Sequence, residues 1–262
     1  MKNLVHIDNA HVNPFFPGFV KSNLDVLTNP FGITTFKPEN YVSAWKIGKI
    51  GSFFMNSVII TIMTLAVQLI VIILASFALG KLRPWGSGFI EILFLSGLFI
   101  TSEMLTIPNF TTLKAWGLNG TRLALLLPYV TLGLPTATFI MINYVKGLPK
   151  ELDEAARLDG CSYFGVFWRI LLPNSKTVMF VVALFCFVGC WNDFFGPLIY
   201  LNDMEKYTLA VGLVMLKASQ GATLDMGPMM AAALIAVIPT FILYLTCQKY
   251  FVQGVVTSGL KG

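Results

Sequence analysis

Residues 154–173 read EAARLDGCSYFGVFWRILLP, a polar segment that lies between long apolar runs. The remainder of the chain is suited to lipid, because 56% of its 262 residues are hydrophobic and only 12% are charged. Soluble domains carry about 25% charged residues. The mean hydropathy is +0.74. A polar segment in such a chain is expected to lie outside the bilayer, where another protein can bind it.

Five stretches are apolar enough to cross a bilayer, for which a helix needs about 20 residues. They lie at residues 53–79, 89–107, 122–145, 178–201 and 228–250. This pattern predicts an all-α integral membrane protein with about five spans, and it places residues 154–173 between the third span and the fourth. Residues 1–50 contain turn signals and no apolar run of this length, which predicts an irregular polar lead-in.

The polar segment and the residues before it predict a short helix from Pro149 to Gly160. Proline suits the first turn of a helix, carboxylates favour its N-terminal end, and Gly160 suits a left-handed residue that closes it. Small side chains flanked by a leucine and a carboxylate recur at helical spacing and predict a surface that packs closely into a partner: Leu152, Ala155, Ala156 and Asp159. Apolar residues beyond Gly160 predict an amphipathic stretch against the membrane face: Phe164, Phe167, Ile170 and Leu171. Each feature alone also suits an ordinary folded loop, so the docking interpretation depends on their joint spacing.

The composition argues against several other functions. The net charge of +5 comes from Lys and Arg residues that are scattered at span ends and in loops, without the basic cluster beside aromatic residues that binds nucleic acid. The four cysteines and two histidines show no metal-ligand spacing, so no metal site is expected. No G-x-x-x-x-G-K-[ST] phosphate loop is present, so this chain is not expected to hydrolyse ATP by that route. An integral-membrane enzyme is not expected either, because no nucleophile-base arrangement or repeated carboxylate motif is found in the spans.

Three polar residues within predicted spans are candidates for a pathway or a gate: Glu103, Asn192 and Asp193. A carboxylate deep in a span costs about 2.5–3.5 kcal/mol on insertion scales, so it is expected to face protein, water or the membrane surface. Asp193 suits a gate and equally suits a helix cap or a bridge between helices. Glu103 suits a structural or a gating role. We interpret the neighbouring rings of Trp191 and Phe194 as packing residues rather than a sugar platform.

The spacing of Glu154-Ala155-Ala156, Gly160 and Ile170-x-Leu172-Pro173 resembles the EAA loop by which permease subunits of ABC importers bind their ATPase. Further stretches resemble the carbohydrate type, in particular the smaller permease of maltose transporters, over roughly residues 25–262. They include Asn29-Pro30-Phe31-Gly32, Asn56-Ser57, Trp116 to Thr121, Leu127-Pro128-Tyr129, Trp191-Asn192-Asp193, Tyr207-Thr208-Leu209 and the tail from Val252 to Gly262.

The resemblance implies the transmembrane domain of a type-I ABC importer over residues 51–252, with a cytoplasmic EAA coupling loop and a cytoplasmic tail at 253–262. It implies a multi-pass subunit of the cell membrane, embedded in lipid, that imports a sugar or sugar-like solute. The implied partners are a second permease that forms a heterodimer with this chain, two ABC ATPase subunits that bind ATP, and an external solute-binding protein. No residue is assigned to the sugar.

Residue roles also follow from the resemblance. The residues expected to couple to the ATPase are Glu154, Ala155, Ala156, Asp159, Gly160, Ile170, Leu172 and Pro173. The tail residues expected to reach the ATPase are Gly254, Ser258, Gly259, Lys261 and Gly262, although composition alone favours disorder there. ATP chemistry is expected on the partner subunits.

The chain departs from the family pattern at its N-terminus. Members carry a span before the Asn29-Pro30-Phe31-Gly32 region, and residues 1–24 are too short and polar to supply one. We therefore expect five spans where the family pattern has six. The 18 Lys and Arg residues divide evenly between the two sides, so the cytoplasmic placement of the loop rests on the resemblance.

An alternative function is a secondary transporter or channel that works without an ATPase. Prolines within the spans, such as Pro128, Pro135 and Pro239, and the carboxylates Glu103 and Asp193 would suit such a protein. A paired internal repeat would favour it, and the sequence contains none that is convincing.

Overall fold

The computed structural model describes residues 38–46, 48–149, 151–219 and 226–259, which are helical or lie in turns between helices. Side chains are described except at residues 157, 219, 226–227 and 249–259. In chain order the helices are α1 (Glu39–Lys46), α2 (Ile50–Ser76), α3 (Ser87–Ser96), α4 (Ser102–Ala115), α5 (Leu123–Lys146), α6 (Glu151–Leu158), α7 (Tyr163–Val166), α8 (Leu172–Asn174), α9 (Lys176–Asn192), α10 (Phe195–Tyr200), α11 (Leu209–Ser219) and α12 (Met226–Gly259). Two π-helical segments, Phe77–Leu82 and Phe167–Leu171, follow α2 and α7.

Three helices confirm predicted spans. They cover Ile50–Leu82, Leu123–Lys146 and Pro228–Gln248, with 33, 24 and 21 residues. Two further spans are formed by bent pairs of helices, if each pair counts as one span. The fold is therefore all-α over the described residues, with three to five spans, and the sequence-based count of five is the upper value.

The second predicted span, at residues 89–107, is wrong as one continuous helix. A bend of 100° separates Ser87–Phe99 from Ser102–Ala115. Ile100 and Thr101 are extended, with Thr101 at the N-cap of α4 and Glu103 in its first turn. This is a helix start signal inside an apolar run. Gly97 lies against Pro135 of α5, where an added Cβ would come within 2.8 Å of the proline ring.

The fourth predicted span, at residues 178–201, is also interrupted. Helix α9 ends at Asn192, Asp193 is extended, and α10 begins at Phe195. The Oδ2 atom of Asp193 accepts a hydrogen bond from the backbone N–H of Gly196 at 3.1 Å. Asp193 thus caps the short helix that follows the break, which is one of the two roles that the sequence left open.

The chain divides into two compact units, and the first contains the described parts of residues 1–57 and 203–241. Here Asn56 donates hydrogen bonds to the carbonyls of Glu205 and Tyr207 at 2.6 and 3.1 Å. The Ser57 hydroxyl accepts one from the N–H of Leu209 at 2.8 Å. Two of the family-like stretches, 56–57 and 207–209, are therefore in direct contact.

The irregular lead-in predicted for residues 1–50 is wrong over residues 39–46, which form α1. Pro38 and Glu39 suggested a turn, yet a proline followed by an acidic residue also suits the start of a helix. Residues 1–37, including Asn29 to Gly32, lie outside the described residues.

The second unit contains residues 58–202 and 242–262 as far as they are described. Its apolar core joins α2, α5, α9 and the π segment Phe167–Leu171. The buried residues of this core are Ile72, Ile73, Ala137, Met141, Val145, Phe167, Leu171, Val182 and Cys186. We call residues 151–173, which contain the EAA-like spacing and α6, the EAA segment, and part of it is therefore buried in the core between the spans.

Candidate functional site

The predicted docking helix between Pro149 and Gly160 is present as α6, which runs from Glu151 to Leu158. Three carboxylates occupy its first turn, where they interact favourably with the positive end of the helix. Gly160 has a φ of +77°, and the N–H of Cys161 bonds to the carbonyl of Ala156 at 2.9 Å. This pattern is a Schellman motif. The predicted left-handed closure at Gly160 is confirmed.

One face of α6 points away from its own subunit. We call it the docking face and define it by its exposed residues Glu151, Glu154, Ala155 and Leu158. Leu152 and Asp159 are also exposed and lie at its edge. The side chain of Leu158 is 89% exposed, which is unusual for a leucine unless a partner covers it.

The opposite face of α6 packs inward, and it includes Ala156. This alanine is only 7% exposed. The expectation that Ala155 and Ala156 together form the outward close-packing surface is therefore corrected, because only Ala155 is accessible. The small side chain of Ala156 instead lets α6 lie close to its own subunit.

An ion pair attaches α6 to the end of the first span. Lys81 Nζ lies 2.5 Å from Asp153 Oδ2, and the two side chains are 13% and 19% exposed. Neighbouring Gly80 permits close packing on α5, because an added Cβ would lie 2.9 Å from Val145 Cγ1. The sequence reasoning did not single out this pair. Its only local signal was a lysine that ends an apolar run.

The two π-helical segments contact each other beside α6. Phe77, in the segment that ends the first span, packs edge-on against Phe167 of the EAA segment, with ring centroids 5.2 Å apart. π-helical turns are rare and occur frequently at functional sites. The first span therefore touches the EAA segment at two places, through Phe77 and through Lys81.

The stretch from Tyr163 to Pro173 is anchored by buried residues one helical turn apart. Phe167 and Leu171 are buried in the core, whereas Ile170 and Leu172 are partly exposed and Pro173 is exposed. Phe164 is exposed and contacts the ring of Trp168 at 6.1 Å between centroids, and its predicted position against the membrane face stays a prediction.

The three candidate gate residues lie at the opposite ends of the spans from α6. The Tyr129 hydroxyl of α5 donates a hydrogen bond to Asp193 Oδ2 at 2.7 Å. Asp193 thus bridges two spans as well as capping α10. Glu103 is exposed and lines a small cavity of about 40 Å³ together with Asp193. The structure therefore brings two of the three residues to one place.

Asn192 and Asp193 also line a larger cavity of about 520 Å³. Its polar lining residues are Gln68, Ser102, Tyr129, Thr136, Asn192 and Asp193, and the others are apolar residues, glycines and cysteines. The packing interpretation of the nearby aromatics agrees with the contacts, since Trp191 is buried and stacks on Phe187 at 5.3 Å. Within the described residues, no group of three metal-ligating side chains is found.

The predicted tail is not separated from the last span by a break. Helix α12 continues through the proposed boundary at residues 252–253 to Gly259. Gly254, Ser258 and Gly259 therefore belong to this helix, for which the structure describes the backbone alone at these positions. Lys261 and Gly262 lie outside the described residues.

The sequence matches the family described as "Binding-protein-dependent transport system inner membrane component" over residues 41–257. The chain belongs to this family. It is 35% identical over 243 residues to the probable ABC transporter permease protein YurM of Bacillus subtilis (strain 168), covering 92% of this chain and 80% of that protein. It is 31% identical over 240 residues to the diacetylchitobiose uptake system permease protein NgcG of Streptomyces coelicolor, covering 91% and 79%.

The fold is similar to that of a solved chain from a bacterial ABC transporter involved in the import of the acidic polysaccharide alginate. The TM-score is 0.74 at 22% identity, covering 83% of this chain and 81% of that chain. Together with the apolar helices, the family match identifies this chain as a multi-pass membrane permease subunit of an ABC importer. The alternative of a secondary transporter or channel receives no support from these matches.

Proposed function

We propose that this permease imports a sugar and receives the motion of two ABC ATPase subunits through α6 and the rest of the EAA segment. The observation that carries this proposal is the docking face, an exposed surface on a helix that is firmly attached to the first span. ATP would bind to the ATPases, and this chain would act as a transport subunit without catalytic activity or a cofactor.

The docking face has the features of a surface that a partner covers. Leu158 exposes an apolar side chain on the same side as Glu154, with the small Ala155 between them along the helix. A cleft on an ATPase could take up such a helix in the way that grooves bind amphipathic helices. Glu154 would then provide a polar contact at the rim of this cleft. Gly160 would set the direction of the chain after the end of α6.

Movement of α6 would reach the spans through contacts on its inner side. The Lys81–Asp153 ion pair and the Phe77–Phe167 contact join the EAA segment to the first span, and the buried Leu171 joins it to the core. Such a packed unit moves as a body rather than deforming. ATPase closure would therefore switch the pathway by displacing whole spans.

Further residues of the EAA loop and the tail complete the proposed ATPase contacts. The set comprises Glu154, Ala155, Asp159, Gly160, Ile170, Leu172 and Pro173, with Ala156 as an inner spacer, and in the tail Gly254, Ser258, Gly259, Lys261 and Gly262. At the other ends of the spans, Glu103, Asn192 and Asp193 would serve the pathway or its gate.

The remaining partners follow from the family. We propose a second permease that completes the pathway and an external solute-binding protein that delivers the solute. The name of the family refers to such a binding protein, and the relative NgcG belongs to an uptake system for diacetylchitobiose. These similarities support a sugar as the imported solute.

The test is the affinity of the ATPases for the permease pair in lipid nanodiscs, with the Leu158→Ser variant. Burying a leucine fully contributes about 1.5–3 kcal/mol, so we expect the affinity to fall by about 10- to 150-fold. The matched control is Trp85→Ser, since Trp85 is a fully exposed apolar residue in the turn after the same end of the first span.

Unchanged affinity for Leu158→Ser and for Glu154→Ala would show that the docking face is not the ATPase contact. A loss of affinity for Trp85→Ser equal to that of Leu158→Ser would also count against it, because the effect would then not be specific to α6.

A further inference from the structure

A cavity of about 310 Å³ lies between the end of the first span, the end of α5 and the first turn of α6. Its volume falls within the range of about 300–1,000 Å³ that is typical of small-molecule sites. Three cations and two carboxylates surround this space. They are Lys81, Arg83, Lys146, Asp153 and Glu154.

Both lysines of this cavity already have a carboxylate partner. The first forms the ion pair with Asp153 that is described above, and Lys146 Nζ lies 2.6 Å from Glu91 Oε2 of α3. Within the described part of the chain, Arg83 and Glu154 form no ion pair, although both line the same cavity. The cavity thus presents one unpaired guanidinium and one unpaired carboxylate that do not reach each other.

The backbone fixes the position of the Arg83 guanidinium. Arg83 follows the π-helical segment in the left-handed conformation, with a φ of +45° and a ψ of +60°, which costs an arginine free energy. Its Nε atom donates a hydrogen bond to the carbonyl of Gly80 at 3.1 Å. Among the described residues, nothing binds its two terminal nitrogens. Their N–H groups lie in one plane and suit the oxygens of a phosphate.

The residues around the cavity place it at the surface of the bilayer. Leu82, Trp85 and Phe89 lead from the end of the first span into α3, and all three are exposed. Tryptophan is enriched at the level of the lipid headgroups. Pockets with basic residues between membrane helices bind phosphate-bearing headgroups at this level. A lipid therefore fits here, with its acyl chains along α3 and its headgroup in the cavity.

The two unpaired charges select a zwitterionic headgroup. A phosphate matches Arg83, and a primary ammonium group matches Glu154, because it carries three N–H donors for a carboxylate. The ammonium group of choline has no N–H. A glycerol headgroup would bring the phosphate charge next to the Glu154 carboxylate without a cation to compensate it. Ethanolamine satisfies both residues.

We propose that this cavity binds the phosphoethanolamine headgroup of a membrane lipid, with the phosphate on Arg83 and the ammonium group on Glu154. A carboxylate has two oxygens, so Glu154 can accept hydrogen bonds from the headgroup and from an ATPase together. The lipid fills the space between the first span and α6. The inference goes beyond the proposed function and does not depend on it, since the permease itself binds the lipid.

The test uses the full-length chain in detergent, together with the subunits that copurify with it. It is incubated with an equimolar mixture of phosphatidylethanolamine, phosphatidylglycerol and phosphatidylcholine that have identical acyl chains, and native mass spectrometry identifies the retained lipids. The variants are Arg83→Gln and Glu154→Gln. The matched control is Lys176→Gln, since Lys176 is an exposed cation at the start of α9 that does not line the cavity. Thermal unfolding shows whether each variant folds.

We expect the wild type to retain phosphatidylethanolamine about fivefold better than either other lipid, which corresponds to the roughly 1 kcal/mol of a well-formed exposed ion pair. Arg83→Gln should lose this retention by a similar factor. Glu154→Gln should reverse the preference towards phosphatidylglycerol, because the repelling carboxylate is removed. A merely structural role would not change the preference in this direction. Lys176→Gln should match the wild type.

Several results would overturn the proposal. They are equal retention of the three lipids by the wild type, a wild-type preference for phosphatidylglycerol, and an unchanged preference in both cavity variants. An equal loss in Lys176→Gln would make the effect one of general charge. Displacement of the lipid by an equal concentration of soluble phosphoethanolamine would show that the site takes a free solute. If Arg83→Gln does not fold, the reversal in Glu154→Gln decides the matter.

Discussion

Substitution of Gly160 by alanine tests the docking geometry with little change in contacts. Gly160 has a φ of +77°, and a Cβ built there meets no atom within 4 Å. The cost of the alanine therefore comes from its own backbone conformation and not from a clash with neighbouring residues. A left-handed backbone costs an L-residue about 1–2 kcal/mol relative to glycine.

The magnitude follows from the population of the closed Schellman turn. If docking requires this turn, the apparent affinity for the ATPases falls by the same factor as the population of the competent conformation. A cost of about 1–2 kcal/mol corresponds to a fall of up to about 5- to 30-fold, which is reached where the open and closed turns are close in free energy. Asparagine tolerates the left-handed region better than alanine, so Gly160→Asn is expected to lie between alanine and wild type.

The assay is ATPase binding to the permease pair in nanodiscs, followed by titration, together with ATP-driven uptake. The matched control is Gly117→Ala. Gly117 has a φ of +70° and also has no atom within 4 Å of an added Cβ, but it lies in the turn between α4 and α5, at the other end of α5 from α6. Its substitution carries the same backbone cost without affecting the docking helix.

The reasoning would be refuted if Gly160→Ala bound the ATPases within twofold of the wild type. It would be refuted equally if Gly117→Ala weakened ATPase binding as much as Gly160→Ala did, because a general loss of stability would then explain both.

Two further predictions concern the same end of the molecule. Lys81→Met or Asp153→Leu alone leaves a mostly buried charge unpaired, which costs up to about 3–5 kcal/mol, so each single variant should have a lower melting temperature and weaker coupling than the double variant; single variants as stable as the wild type in a thermal unfolding assay would contradict this. Cys161 is partly exposed beside α6, whereas the other three cysteines are buried, so a membrane-impermeant maleimide should label this thiol in inside-out vesicles and not in right-side-out ones, and the reverse pattern would place the EAA segment outside the cell.

The spans show which parts of the fold could be predicted from the sequence. Long apolar runs identified Ile50–Leu82, Leu123–Lys146 and Pro228–Gln248, because burial in lipid depends mainly on composition. The same criterion passed over the breaks at Thr101 and Asp193, since one polar residue hardly changes the average over a whole run. Both breaks carry residues that are typical of helix N-caps. A search for such residues within the apolar runs would have indicated the breaks.

Helix α6 shows the corresponding limit at the site. Its spacing and caps were local features, so its existence and its closure at Gly160 followed from the sequence. Which alanine faces outward did not follow, because that choice depends on what the helix packs against. The structure turns Ala156 inward and leaves Ala155 and Leu158 accessible.

The sequence by itself determined that this protein lies in lipid, where its polar segment occurs and how that segment begins and ends. These properties depend on composition and on neighbours within one or two helical turns. The tertiary structure alone decided that Lys81 pairs with Asp153 and that Tyr129 holds both Gln68 and Asp193. Gln68 is 61 positions from Tyr129, and Asp193 is 64. Such pairs form only when separate spans pack at a particular angle and register, which no local pattern specifies.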